Sequence, residues 1–129
     1  MARLPVRRIS FATARLEREQ LVMEGKRFYH DCVKSNDWGK MLSFVGQLLP
    51  QKREGTPDTE HERSDVVHDL LAFLAEERTR LNKQKQAEIK GFLAWLEDYL
   101  GISLENLRNK TKVKDYWKAD FESLFSALE

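Results

Sequence analysis

The stretch Ser64–Leu100, SDVVHDLLAFLAEERTRLNKQKQAEIKGFLAWLEDYL, decides the fold. It holds no proline, and its only glycine is Gly91. Proline would remove a backbone donor and clash with the preceding turn, so without it a helix can run through. Ser64 and Asp65 supply helix-start chemistry, and Gly101 is a good residue for the left-handed turn that ends a helix. The apolar residues gather at the two ends: Val66, Val67, Leu70, Leu71, Phe73 and Leu74, then Ile89, Phe92, Leu93, Trp95, Leu96, Tyr99 and Leu100. Between Ala75 and Glu88 only Leu81 and Ala87 are apolar. The middle, Glu76 to Gln86, is therefore expected to be solvated or to pack against something outside the chain. A single helix of this length would reach about 55 Å at 1.5 Å per residue. That exceeds a compact domain of this size, so a break near Asn82 is the alternative.

Upstream, Leu16, Glu19/Gln20, Met23, Arg27/Phe28 and Cys32 recur at helical spacing, with Thr13 as the expected N-cap and Arg15–Glu19 as an outer i,i+4 pair. Ser35-Asn36-Asp37 reads as a turn. A second helix from Trp38 should bury Met41, Leu42, Val45, Leu48 and Leu49 and end at Pro50. Gln51 to Arg63 is charged, contains Gly55 and Pro57, and is expected to be a mobile loop, residues 51–63. The start, Leu4-Pro5-Val6-Arg7-Arg8-Ile9-Ser10-Phe11, is extended in character, because Pro5 disfavours helix at its predecessor and Val6, Ile9 and Phe11 favour strand. Downstream, Ser103 opens a short helix, Lys110 to Lys114 reads as a basic connector, and a last helix should bury Phe121, Leu124, Phe125 and Leu128.

These elements predict an all-α fold. It is a single helical domain over residues 1–129, a bundle of four to six helices with one long helix and an extended N-terminal arm, residues 1–12. The expected core is Leu21, Phe28, Leu42, Val45, Leu49, Val67, Leu70, Leu74, Phe92, Leu96, Leu107, Phe121, Leu124 and Leu128. The 129 residues balance 22 Lys+Arg against 21 Asp+Glu, so a case for nucleic acid must come from local clusters. One cysteine, Cys32, forbids an intrachain disulfide and fits a reducing cytosol. Met1 to Ser10 has no apolar signal core, and no run approaches the ~18 apolar residues of a membrane span. A cytoplasmic protein with no membrane partner is expected.

Catalytic patterns are thin. Pro57-Asp58 and Glu88-Ile89-Lys90 match the letters of a metal-dependent nuclease, but that chemistry needs the carboxylates on a strand bend and its neighbour, where they share a metal. Asp58 lies in the charged loop, and Glu88 and Lys90 lie in a helical stretch. His30, His61 and His68 lack the paired spacing of metal ligands and read as surface residues. Cys32 falls on an apolar helical face and reads as core. No phosphate-binding glycine loop and no nucleophile elbow occurs. The expectation is a non-enzyme with no cofactor and no metal.

The basic cluster Arg108, Lys110, Lys112 and Lys114, followed by Tyr116 and Trp117, is the candidate nucleic-acid contact. Cations clamp a phosphate backbone, and aromatics lie on sugar or base. The alternative is a solvated connector with both aromatics packed inward. Trp95 and Tyr99 are the candidate contacts for a protein partner.

Two stretches together resemble a known family. Leu4-Pro5-Val6-Arg7-Arg8-Ile9-Ser10-Phe11, entering a charged helix, resembles the segment that follows the target-recognition domain in DNA adenine methyltransferases of type II restriction–modification and phage-defence systems. Leu81 to Glu97, then Leu107 to Tyr116, resembles the helical tail of the same enzymes. The chain has neither their S-adenosylmethionine-binding domain nor their N-P-P-Y-type motif, so no catalytic residue carries over. The resemblance implies a helical module that braces catalytic and recognition parts near the DNA backbone. Its partners would be duplex DNA and a methyltransferase or restriction chain. The rival expectation is a protein-interaction or oligomerisation module without DNA binding.

Overall fold

The computed structural model describes Ile9 to Leu128. Five α-helices run in chain order: α1 Arg15–Ser35, α2 Gly39–Leu48, α3 Ser64–Leu100, α4 Lys110–Lys114 and α5 Phe121–Leu128. Single 3-10 turns, Leu104–Asn106 and Tyr116–Lys118, flank α4. The described residues contain no strand, only an isolated bridge between Gln51 and Pro57, so the fold is all-α. The chain divides into two compact units, Met1–Glu77 and Arg78–Glu129. Residues 1–8 of the expected arm lie outside the described residues, and Ile9 to Ala12 have no regular structure.

The helix over Ser64–Leu100 is continuous, with no break at Asn82. Every residue from Arg78 to Glu88 is exposed, Leu81 and Ala87 included, in keeping with the scarcity of apolar residues there. Gly101, at φ 69°, ends the helix in the left-handed conformation.

In the first unit the core is Cys32, Met41, Phe44, Leu48, Val66 and Leu70, with Leu21, Val22, Phe28, Val45 and Val67 packed against it. The apolar face of α2 is Met41-Phe44-Val45-Leu48, spacing i, i+3, i+4, i+7. Leu42 sits about 100° away from Met41 on that helix and is 71% exposed, so its expected place in the core is corrected. Gly25 lets α1 approach the start of α3 closely: a Cβ there would lie 2.6 Å from Leu70 Cδ2 and 3.1 Å from Phe44 Cε1.

Thr13 does not cap α1. Ala14 occupies the cap position without a side-chain bond. The Thr13 backbone N–H and hydroxyl both donate to Asp65 instead, at 3.0 and 2.8 Å, and Val66 N–H donates to it at 2.9 Å. Asp65 is only 1% exposed. Burial pushes its pKa up, but the bonds from Thr13 and Val66 and the charge of Arg18 outweigh that and hold it below the usual carboxylate value. Residues 51–63 form a tied turn. Lys52 N–H donates to Thr56 O at 2.8 Å, Asp58 N–H to Pro50 O at 2.9 Å and Arg63 N–H to Leu48 O at 2.8 Å.

In the second unit Leu96, Leu104, Val113 and Ala127 form the buried centre, with Phe92, Leu93, Leu100, Leu107, Leu124 and Leu128 against it. On α5 the buried stripe is Leu124-Ala127-Leu128. Phe121 and Phe125, both expected inside, are 76% and 59% exposed: Phe125 is turned about 100° from Leu124, and Phe121 stands at the first residue of the helix, at the edge of the stripe.

Candidate nucleic-acid interface

The basic cluster is set in place by the turn before it. Glu97, on the last turns of α3, accepts Leu104 N–H at 2.8 Å and the Ser103 hydroxyl at 3.4 Å. Leu104, 2% exposed, is drawn into the second unit's core. The 3-10 turn that follows carries Glu105 to the flank of α4. That helix is oriented by Val113, which is fully buried. With Val113 inward, Lys110 and Lys114 fall one turn apart on one flank, and Lys112 falls on the other.

The two flanks differ electrostatically. Lys110 Nζ lies 3.2 Å from Glu105, and Lys114 bonds the other oxygen of the same carboxylate. Hydrogen bonds from Lys114 and Lys110, then their charges, hold the Glu105 pKa below its ordinary value. One carboxylate thus offsets part of the charge of two lysines. Arg108 and Lys112 are exposed, and no carboxylate among the described residues pairs with either.

The aromatic pair divides too. Tyr116 is half-buried, with its ring 4.3 Å from that of Phe92. Trp117 is 42% exposed, and Lys85 Nζ stands 3.5 Å from its ring centroid. Lys118 Nζ lies 5.0 Å from the same ring and 3.1 Å from Asp115. Both ammonium groups are within cation–π range. The expected connector is thus a short helix and a 3-10 turn, with one aromatic turned in and the other presented beside cations.

Trp95 and Tyr99, the candidate partner contacts, are 56% and 74% exposed on α3 and stacked at 5.4 Å with an interplanar angle of 18°. Trp95 also lies 5.7 Å from Phe92, so the two exposed rings continue a row begun by Tyr116 and Phe92.

Sequence reasoning missed the pairings of Glu105 and Lys118, and it read Lys85, with Arg78, Arg80 and Lys83, only as part of a solvated basic face. Glu105 precedes Lys110 by five residues across a turn, so helical i,i+4 spacing gives no signal for the pair. Lys85 reaches Trp117 only through the fold.

The other sequence candidates have ordinary surroundings within their own units. Glu88 and Lys90 are both exposed on α3, two positions apart and so on divergent faces. Asp58 accepts from His61 at 2.9 Å, a bond that, with other contacts, lowers its pKa. His30, His61 and His68 are exposed, and Cys32 is buried in the first unit's core. Among the described residues, no three His, Cys, Asp or Glu side chains are grouped to hold a metal ion, and no helix is long and apolar enough to cross a membrane. No known family matches the chain, and no curated protein or solved structure does either.

Proposed function

We propose that this chain is a non-catalytic helical module associated with a DNA restriction–modification methyltransferase, bracing its parts and touching the DNA backbone through Arg108 and Lys112. The observation that carries the DNA contact is the uneven pairing of the basic cluster. Glu105 ties Lys110 and Lys114 internally, while Arg108 and Lys112 are exposed and have no carboxylate partner among the described residues. Such cations release condensed counterions when they meet phosphates, which makes the contact salt-dependent and independent of sequence. The link to methyltransferases rests on the two resembling stretches. The test is anisotropy of a labelled random-sequence duplex titrated with the chain across salt. Binding that weakens steeply with salt is expected, and no binding at low salt contradicts the DNA contact.

A second reading, a protein-docking module, is favoured by the exposed Trp95–Tyr99 stack. Rigid aromatics of this kind are typical interface anchors. It predicts that a Trp95→Ala/Tyr99→Ala double variant folds normally but loses self-association in sedimentation velocity. A chain that is monomeric at high concentration speaks against the oligomerisation form of this reading.

A further inference from the structure

We infer that the groove between α4 and α5 seats one backbone phosphodiester, an inference that deepens the proposed DNA contact and rests on it. The groove measures about 480 Å³, and Lys112 lines it on the flank of α4 that Glu105 does not reach. Asn109, Thr111 and Ser126 line it as well, and their side chains make no hydrogen bond among the described residues. One ammonium and several neutral donors are the complement of a phosphodiester, which carries one negative charge and two free oxygens.

The other charges of the groove are accounted for. Asp115 is held by Lys118 at 3.1 Å, so that pair adds little net charge. Ser123 also lines the groove, and its backbone N–H donates to Asp120 at 2.8 Å. Among the described residues, Lys112 is thus the groove's unpaired cation. A singly charged diester suits that balance better than a dianionic phosphate, whose second charge would meet the Asp115 carboxylate with no further unpaired cation among the described residues of the groove.

The chemistry is common to free phosphate and to a nucleic-acid backbone, so the test has two arms. In the first, duplex affinity is measured at fixed salt for wild type and for Thr111→Val/Ser126→Ala, which removes two hydroxyls and no charge. A loss of roughly tenfold is expected, the scale of charge-assisted hydrogen bonds, with the salt slope unchanged. Wild-type binding that the double variant leaves intact overturns the groove and leaves the proposed function standing. In the second arm, inorganic phosphate is titrated into the 15N-labelled chain in mildly acidic buffer, where it is mainly the singly charged anion. If wild type fails to bind duplex but Thr111, Lys112 and Ser126 amides shift with phosphate, the phosphate seat holds and the DNA contact fails. If wild type binds neither duplex nor phosphate, both fail.

Discussion

Asp65 and Gly25 are the residues on which the first unit most depends. Asp65 is a buried carboxylate with three donors, two of them from Thr13. Replacing it with alanine leaves those donors without their acceptor, which costs about 2–3 kcal/mol. Denaturant unfolding of Asp65→Ala measures this. Its pKa is lowered in the folded state, so its contribution is present above the unfolded value, about 3.9, and is lost as pH falls through the folded value. An Asp65→Asn variant should therefore show a flatter acid limb in stability against pH than wild type. Gly25 is fixed by space, since a side chain there meets Leu70 and Phe44. Gly25→Val should destabilise by about 1–3 kcal/mol through overpacking, read as a lower urea midpoint. A neutral effect would mean that Leu70 repacks freely.

At the scale of elements, α4 decides how the basic cluster behaves. Its buried Val113 sends Lys110 and Lys114 to one side and Lys112 to the other. Glu105→Gln keeps the shape of the side chain but releases two lysines. It should strengthen duplex binding and steepen the salt slope by up to about two units. An unchanged slope would show that Lys110 and Lys114 face away from DNA. The helices themselves were legible in the sequence because proline and glycine placement and apolar spacing are local signals. Ser64–Leu100 was readable as one unbroken helix for that reason, and length alone argued for a break. Leu42, Phe121 and Phe125 were misplaced because short helices offer a face with few repeats, and adjacent apolar residues compete for it. Phe44 and Ala127 took the buried positions instead.

At the scale of the whole molecule, the two units have separate cores, and the candidate DNA contacts lie together in the second. The residue types of the site were legible: cations and aromatics side by side within a few positions. Their division was not, because the pairing of Glu105 with Lys110 and Lys114, and of Lys85 with Trp117, is made across turns by tertiary packing. The central claim is that Arg108 and Lys112 carry the DNA contact and that Lys110 and Lys114 do not. Its most direct test is the salt slope of random-sequence duplex binding for wild type, Arg108→Ala/Lys112→Ala and Lys110→Ala/Lys114→Ala. The account predicts that the first variant loses roughly two units of slope and the second less than one. Equal losses, or a larger loss in the Lys110/Lys114 variant, would contradict it.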